Sequence, residues 1–300
     1  MARMKMKKVC ETTVEEVFED FLLSKKAKGT SDKTLETYNY HFRAISKYLD
    51  TSADITGLSS RDLETMIAEM RNGNLSATSI SSYTRTLKSF LSWCNDKDIT
   101  TLNISLYKAP EIAKDTYTTP ELKKLLQKPN MKNCGFTEFR NWVIVNLLLN
   151  SGCRAKTVRT FLVKDVDLNG HRIIYQHTKN GKPQVSPLCD KMVSILREYL
   201  KHRGGEANDP LFPNENGKPL TESGLRQAIE AYNLSRGVSK TSIHLYRHTF
   251  AGMFLRNGGD ALHLQQHLGH STLKMTKHYC AINDVDLMRN INTFNPLATI

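Results

Sequence analysis

The chain has 300 residues, of which 39% are hydrophobic and 24% are charged. This length suits two domains, and the composition is typical of a globular protein rather than a disordered one. Lys and Arg number 42 against 30 Asp and Glu, so the formal net charge is +12. Such a charge favours a nucleic-acid partner, because basic side chains displace the counterions condensed on phosphates. Repulsion between like charges, which keeps a protein in solution, is the alternative explanation.

The sequence contains none of the ~20-residue apolar stretches that cross a membrane, and its basic N-terminal segment lacks the apolar core of a signal peptide. The six cysteines are too far apart in sequence for a CxxC metal knuckle. We therefore predict a cytoplasmic protein with reduced thiols, no bound metal and no membrane partner.

Apolar side chains recur at helical spacing through residues 1–102. In "TTVEEVFEDFLL" they form one stripe, and Thr13 and Glu16 have the spacing of a capping box at its start. Three further stripes occur in "SDKTLETYNYHFRAISKYL", "SSRDLETMIAEM" and "SATSISSYTRTLKSFLSWC". Four amphipathic helices are enough for a small bundle, so this segment is predicted to be a helical domain.

The fourth of these predicted helices has a polar face that carries Thr78, Ser82, Arg85 and Lys88. Hydroxyl and basic side chains of this kind contact the phosphates and base edges of DNA. The same face would suit solvent equally well, and its composition does not distinguish the two. We treat these residues as the predicted DNA-binding residues of the helical domain.

Residues 103–118 lose the helical periodicity and contain a proline, which predicts a linker. In "TTPELKKLLQ" a new helix is predicted, with Thr119 as its N-cap and Pro120 at its first position. We assign residues 119–300 to a second domain, and the tail 285–300, with its apolar stripe, to a final helix.

The second domain is predicted to be mixed. The run "TEFRNWVIVNLLLNSG" reads as a buried helix that ends at Gly152. Two Asn-Gly pairs follow, Asn169-Gly170 and Asn180-Gly181, and each lies between β-rich runs, which is a strong hairpin signal. From about Lys191 the pattern is helical. The overall fold class is therefore mostly α with a small antiparallel β-sheet.

Several basic side chains of this domain could carry chemistry. Arg154 directly follows the buried helix, so it would emerge from the core with little entropy to lose on binding. His244 and Arg247 share one helix face with no acidic residue within a turn, so a buried face would need an anion. Lys179 lies at the tip of the second hairpin. Each also has a plainer reading, namely a surface arginine, an exposed polar patch and a turn lysine.

The stretch "LQQHLGHSTLKMTKHYC" adds histidines and a tyrosine. Asp260 can cap the preceding helix, Gly269 can end it, and His270 then follows, with Tyr279 on the next short helix. The spacing of His263, His267 and His270 would allow metal binding, but neither an HExxH glutamate nor a cysteine ligand accompanies them. We therefore predict no metal site here.

Taken in order, these elements resemble the tyrosine recombinase (phage integrase) family. The signature of that family is an arginine after an apolar helix, a hairpin lysine, HxxR, a histidine in an "LGH" context, and a tyrosine nine residues later. Here the matching residues are Arg154, Lys179, His244, Arg247, His270 and Tyr279. The layout is also similar, with a helical bundle before an α+β catalytic domain.

The resemblance implies a site-specific DNA recombinase that needs no cofactor and acts on double-stranded DNA. Tyr279 would attack a backbone phosphate to form a 3′-phosphotyrosine, and Arg154 and Arg247 would stabilise the transition state together with His270. Lys179 would protonate the leaving 5′-oxygen, and His244 would assist proton removal from Tyr279. The task would be DNA integration, excision or dimer resolution.

The resemblance also implies a tetramer on paired DNA sites, formed by protomers that are monomers in solution, with the tail 285–300 docked into a neighbour. A tail that folds back on its own domain is the alternative. The family usually has an acid three residues after the first arginine, whereas this chain has Thr157. Three other functions stay open: a DNA-binding relative without catalysis, a topoisomerase-like relaxing enzyme and a metal-dependent hydrolase.

Overall fold

The computed structural model of the protein describes residues 12–110, 115–175, 184–270, 272–277 and 279. The chain divides into two compact units, Met1–Ile112 and Ala113–Ile300. The point of division falls inside the predicted linker 103–118. None of the helices described combines the length and the apolar composition needed to cross a bilayer.

The first unit is a helical bundle, as predicted. Over the residues described its α-helices are α1 (Val14–Ala27), α2 (Asp32–Ile45), α3 (Ser60–Asn72) and α4 (Ala77–Asn95). Thr13 caps α1, and its side chain and that of Glu16 make the reciprocal bonds of the predicted capping box. The apolar stripes meet in one core, where the Phe18 and Phe42 rings stack with centroids 3.9 Å apart. Burial of side chains of this size contributes about 1.5–3 kcal/mol each, so packing holds the bundle together.

The second unit is mainly helical. Its α-helices, over the residues described, are α5 (Thr119–Leu126), α6 (Phe136–Ser151), α7 (Ala155–Thr160), α8 (Asp190–Arg203), α9 (Glu222–Ser235), α10 (Ile243–Arg256), α11 (Ala261–Leu268) and α12 (Leu273–Lys277). Helix α6 is buried almost all round and packs against α8, α9 and α10. This agrees with its sequence, which is apolar on every face rather than on one stripe.

A small antiparallel sheet accompanies these helices, with strands β1 (Val166–Asp167), β2 (Arg172–Tyr175) and β3 (Gln184–Pro187) in that order. The first Asn-Gly pair, Asn169-Gly170, lies in the turn between β1 and β2, where the Asp167 carboxylate accepts from the Gly170 amide at 2.8 Å. The second pair and Lys179 lie in 176–183, outside the described residues. The predicted final helix 285–300 is also outside them. The predicted fold class is confirmed.

Two local predictions were wrong. The N-cap of α5 is Thr118, not Thr119, and its hydroxyl accepts from the Glu121 amide. Glu121 stands three residues after Thr118, so its carboxylate accepts a hydrogen bond from the Thr118 amide at 2.6 Å. If Thr119 were the cap, the residue three positions later would be Leu122, whose side chain cannot accept a hydrogen bond. In addition, α12 ends at Lys277, so Tyr279 follows the helix instead of lying on it, and its amide donates to the Thr276 carbonyl at 2.9 Å.

Candidate active site

Three helices converge on Gly152, the residue that ends α6. Gly152 has φ 57°, in the left-handed region, as the sequence predicted for a helix end. A Cβ at this position would lie 2.5 Å from Phe250 Cδ1 on α10 and 2.8 Å from Leu268 Cδ2 on α11. Only glycine both adopts this conformation without strain and leaves room for the two neighbouring helices to approach. The C-terminal ends of α6 and α11 are therefore held close to α10.

Arg247 on α10 is buried where these helix ends meet. Its guanidinium donates to the Gly152 carbonyl at 2.7 Å and to the Leu268 carbonyl at 3.0 Å. Both carbonyls lie at helix C-termini, which lack intrahelical donors and carry partial negative charge. Burial, and next the charge of Arg154, lower the pKa of Arg247 to about 10. The guanidinium therefore stays charged at neutral pH, in a position fixed by the backbone.

Arg154 is presented differently. It follows the buried Cys153, stands at the N-cap of α7 and has an exposed side chain. Within the part of the chain that the structure describes, neither Arg154 nor Arg247 forms an ion pair with a carboxylate. Thr157, which stands where the family usually has an acid, donates its backbone amide to the Arg154 carbonyl at 2.9 Å. The charge of Arg154 is close enough to lower the pKa of Arg247, and two arginines so placed, with no acidic partner among the described residues, suit an anionic ligand.

His270 is oriented by the end of α11 and by α12. Asp260 caps α11 as predicted, and Gly269 ends the helix in the left-handed region with φ 62°. The His270 amide donates to the Gln265 carbonyl at 3.0 Å, and its Nδ1 lies 2.9 Å from the hydroxyl of the buried Thr276. When Thr276 donates to Nδ1, Nε2 carries the ring proton, so it can donate to a ligand.

The end of α11 is also tied to the sheet. Gln184 is the first residue of β3. It directly follows residues 176–183, which include Lys179 and lie outside the described residues. Its side-chain amide donates to the His267 carbonyl at 2.8 Å and to the Gln266 carbonyl at 3.2 Å. A Cβ on Gly269 would lie 2.6 Å from Gln184 Oε1. Gln184 therefore caps the carbonyls that precede His270 and joins the hairpin base to this helix end.

Tyr279 is half-buried beside α10 and α11. Its ring packs against the small apolar cluster of Ala251, Leu264 and Leu268. Its hydroxyl lies 2.7 Å from Nδ1 of His248, and its ring stacks near that of His270 with centroids 6.5 Å apart. Burial raises the pKa of Tyr279, and the nearby charge of Arg247 opposes this effect. A phenol in this position needs an acceptor for its proton before it can act as a nucleophile.

The structure thus brings together Arg154, Arg247, His270 and Tyr279 from the predicted set. His244 lies in the first turn of α10 with an exposed side chain. Sequence reasoning placed His244 and Arg247 on one face, whereas only Arg247 is buried. It assigned no role to His248, the residue whose side chain contacts the Tyr279 hydroxyl. In "HLYRH" the second histidine lies one helical turn after the first, which places His248 on the same side of α10 as His244 but does not report its contact with Tyr279.

Two further histidines, His263 and His267 on α11, have their own neighbours. His267 stacks on the Phe250 ring with centroids 4.9 Å apart, and burial lowers its pKa. His263 is hydrogen-bonded to Asp260, the cap of its own helix. Over the described ranges no group of three or more His, Cys, Asp or Glu side chains is arranged to hold a metal ion.

On α4 the predicted DNA-binding residues differ in exposure. Thr78, Arg85 and Lys88 are exposed, whereas Ser82 is half-buried and donates its hydroxyl to the Thr78 carbonyl at 2.9 Å. The Arg85 guanidinium lies 3.1 Å from the Ser81 hydroxyl, within hydrogen-bonding distance. The exposed members form a basic surface with hydroxyl groups beside it, which is suitable for phosphate contacts.

The sequence of both units matches models of a known family. Residues 116–285 match the phage integrase family, and residues 16–102 match the phage integrase N-terminal SAM-like domain. The chain belongs to the phage integrase family. The resemblance stated from the sequence is therefore confirmed.

Among similar proteins, the tyrosine recombinase XerD of Staphylococcus haemolyticus is 27% identical over 302 residues, covering 96% of this chain and 100% of the relative. The tyrosine recombinase XerC of Treponema denticola is 26% identical, covering 94% of this chain and 99% of the relative. The Tn1549 transposon integrase in complex with transposon right end DNA has a similar fold, with a TM-score of 0.75 at 18% identity, covering 94% of this chain and 99% of that one. The family match and the relatives' names confirm the predicted enzyme class, a tyrosine-type site-specific DNA recombinase.

Proposed function

We propose that this protein cleaves and rejoins DNA strands at a defined site through a covalent 3′-phosphotyrosine on Tyr279. The observation that carries the proposal is the arrangement around Arg247. A buried guanidinium held by the Gly152 and Leu268 carbonyls lies near Tyr279, and the exposed Arg154 is close enough for its charge to lower the pKa of Arg247. This is a site for a phosphate beside a tyrosine.

In the proposed reaction Arg154 and Arg247 donate to the non-bridging oxygens of the scissile phosphate. Charge builds up on these oxygens in the transition state, so donors that are already in place lower the barrier without reorganisation. His270 donates to the same phosphate through Nε2, with its ring oriented by Thr276. The exchange of one phosphodiester for another is nearly isoenergetic, so no cofactor is required.

Two further residues belong to the proposed site through the family resemblance. Lys179 is proposed as the general acid that protonates the leaving 5′-oxygen, because its ammonium can lose a proton to an alkoxide. His244 is exposed one turn before Arg247 on α10, where its ring could reach a bound DNA backbone. The role assigned to His244 from the sequence was to assist proton removal from Tyr279.

The test is adduct formation on a nicked suicide substrate, from which the 5′-hydroxyl strand diffuses away and traps the intermediate. Wild-type protein is expected to form a covalent protein–DNA complex, and Tyr279→Phe is expected to bind the site without forming one. Adducts that persist in Tyr279→Phe would contradict the assignment. A binding protein without catalysis would form no adduct at all, and a relaxing topoisomerase would relax plasmid without any preferred site. A hydrolase that depends on metal would lose activity with chelator.

Double-stranded DNA is the proposed partner, and the exposed Thr78, Arg85 and Lys88 of α4 are the proposed contacts in the first unit, with Ser82 alongside. The +12 net charge supports this partner because phosphate binding is driven by counterion release. Replacing Arg85 and Lys88 together by Ala should weaken binding to all DNA sequences and reduce its salt dependence. The cytoplasmic location predicted from the sequence stays a prediction.

We also propose that protomers assemble into a tetramer on two paired sites, with the tail 285–300 docked into a neighbour. An apolar groove of about 390 Å³ on α6 and α10, lined by Leu149, Phe250, Met253 and Phe254 among others, is the proposed acceptor surface for the tail. A heterologous contact of this kind can close into a ring.

Truncation after Asp284 should leave binding to one site intact and impair pairing of two sites, as measured by gel shift and crosslinking. Met253→Glu in the full chain should have the same effect, because the charge occupies the proposed acceptor groove. Normal pairing by both variants, with reduced stability after truncation, would mean that the tail packs on its own domain.

A further inference from the structure

His248 is the imidazole in contact with the candidate nucleophile. Its Nδ1 lies 2.7 Å from the Tyr279 hydroxyl, although the two residues are 31 positions apart in the sequence, and the ring centroids are 5.6 Å apart. From this geometry we propose that His248 is a catalytic residue, the base that accepts the Tyr279 proton as the phenol attacks phosphorus. The proposal rests on the proposed function, in which Tyr279 is the nucleophile.

The other two histidines of the site are less well placed for this step. His244 has an exposed side chain in the first turn of α10. His270 has its Nδ1 beside the Thr276 hydroxyl, and its ring stacks parallel to that of Tyr279, at an interplanar angle of 11°. When Thr276 donates to Nδ1 of His270, that lone pair is used and Nε2 carries the ring proton, so the ring has no free nitrogen to accept from the phenol. Among these three described residues, His248 has a ring nitrogen at 2.7 Å from the hydroxyl oxygen of Tyr279.

The backbone that carries His248 is fixed on both sides. Arg247 before it is held by the carbonyls of Gly152 and Leu268. Thr249 after it is fully buried, and its hydroxyl accepts from the Tyr117 amide at 2.9 Å. A base anchored in this way keeps its distance to the tyrosine without losing entropy at the transition state. The same α10 segment therefore positions the phosphate clamp and the proton acceptor.

The proposed step is balanced as follows. The bond between Tyr279 Oη and phosphorus forms while the Oη–H proton moves to His248 Nδ1, and the bond from phosphorus to the 5′-oxygen breaks. The 5′-oxygen takes a proton from the general acid, proposed to be Lys179. In rejoining, a 5′-hydroxyl attacks phosphorus and returns its proton to the neutral amine of Lys179, while the bond from phosphorus to Tyr279 Oη breaks and the imidazolium of His248 returns its proton to the departing phenolic oxygen. Neither direction consumes an oxidant, a reductant or a cofactor.

The first experiment measures the rate of adduct formation on the nicked suicide substrate. Loss of a general base costs on the order of 10²–10⁴-fold, so His248→Ala and His248→Gln should both slow cleavage by at least about a hundredfold. Added imidazole should restore part of the rate to His248→Ala, because it can occupy the vacated space and accept the proton. His263→Ala, which removes an exposed imidazole from α11, is the matched control and should cleave normally.

The second experiment separates proton transfer from phosphate binding. DNA bearing a 3′-phosphate esterified with p-nitrophenol can be joined to a 5′-hydroxyl strand without Tyr279, and its leaving group departs without a proton. Tyr279→Phe and the double variant Tyr279→Phe with His248→Ala should therefore join this substrate at similar rates. Arg247→Ala in the Tyr279→Phe background should lose the reaction.

Cleavage by His248→Ala at the wild-type rate would overturn the proposal. A second pair of results would also overturn it: imidazole fails to restore cleavage by His248→Ala, and the double variant Tyr279→Phe with His248→Ala loses the joining reaction. His248 would then serve phosphate binding or folding. These outcomes are distinguishable from failure of the proposed function itself, in which wild-type protein forms no adduct or Tyr279→Phe still forms one.

Discussion

Arg247 and Arg154 come from opposite settings in the same unit. Arg247 is buried, and the backbone carbonyls of Gly152 and Leu268 hold its guanidinium. Arg154 is exposed at the N-cap of α7, and within the described residues it has no acidic partner. One arginine is therefore part of the packing between helices, whereas the other is available at the surface.

The difference indicates a division of labour. An arginine locked by two helix ends defines where the phosphate lies before DNA arrives, because its position costs no further ordering. An exposed arginine still has to be ordered when the ligand binds, and the phosphate itself can be the group that orders it. The absence of an acid at Thr157 fits this arrangement, since such an acid would compete with the phosphate for Arg154.

The sharpest test of this contrast exchanges each arginine for lysine. Arg247→Lys and Arg154→Lys should each reduce cleavage of the suicide substrate by about 10²–10³-fold, because a point charge replaces a planar fork that matches phosphate. Only Arg247→Lys should also lower the free energy of unfolding, by about 1–3 kcal/mol, because buried carbonyls lose donors.

Cleavage rates combined with urea unfolding separate the two effects. Arg159→Lys on α7 is a suitable control, because this arginine lies near Arg154 in sequence and is only partly buried. Equal loss of stability in Arg154→Lys and Arg247→Lys would remove the distinction between a packed and an exposed arginine. Near-normal cleavage by either variant would contradict the two-arginine clamp.

The next largest effect concerns the glycine that lets the helices meet. Gly152→Ala should destabilise the protein by about 3 kcal/mol, the sum of left-handed backbone strain and overpacking against Phe250 and Leu268. Gly217→Ala is the matched control, because Gly217 also has positive φ, 75°, but no atom within 4 Å of its built Cβ. It should cost only the strain, about 1–2 kcal/mol. Equal losses for the two variants in urea unfolding would mean that the helix ends are not tightly packed at Gly152.

The helices of this fold were predictable because each carries local information. Capping residues such as Thr13 and Asp260 mark helix starts, and glycines at 152 and 269 mark ends, through interactions that span only a few residues. The one misplaced cap arose where two threonines are adjacent and either can accept from a backbone amide. The reciprocal bond, which the Glu121 carboxylate accepts from the Thr118 amide, identifies Thr118 as the cap, and it depends on a spacing that is present in the sequence.

The arrangement of the site was less accessible from sequence. The pattern identifies which residues are on α10, but burial of Arg247 and exposure of His244 depend on where α6 and α11 cross that helix. The contact between His248 and Tyr279 joins residues 31 positions apart, so no periodicity reports it. The same holds for Gln184, which reaches the end of α11 from a strand more than 80 residues earlier.

A smaller effect is expected at the tie between the sheet and α11. Gln184→Ala removes the donor to the His267 and Gln266 carbonyls, which should cost about 1–2 kcal/mol of unfolding free energy. Gln184→Glu should cost more, because it places a negative charge at the C-terminal end of a helix. Val185→Ala, at an exposed neighbouring position on β3, is the control for strand propensity. A Glu variant as stable as wild type would show that Gln184 does not cap this helix end.

The smallest expected effect is the pH dependence of stability that arises from His267, which lies in the buried surroundings of Arg247. Burial lowers the pKa of His267, and the charge of Arg247 adds to this effect, whereas a backbone hydrogen bond to Ser151 opposes it. The unfolded chain then binds a proton more readily than the folded chain, so stability should fall as the pH drops below about 6.5, the ordinary pKa of histidine. His267→Phe keeps a ring against Phe250 but cannot be protonated, so its melting temperature should fall less between pH 7.5 and 5.5.

Part of the dependence should remain in that variant, because burial also lowers the pKa of His41 in the first unit, where its Nδ1 lies 2.7 Å from the Thr86 hydroxyl. His41→Gln is therefore the matched control. It should reduce the change of melting temperature with pH for the first unit and leave that of the second unit unchanged. Combining His267→Phe with Arg154→Lys should give the same change of melting temperature with pH as His267→Phe alone, because Arg154 does not contribute to the lowered pKa of His267. An unchanged slope in His267→Phe would mean that this imidazole titrates alike in the folded and unfolded chains, and that the packing around Arg247 is looser than its hydrogen bonds indicate.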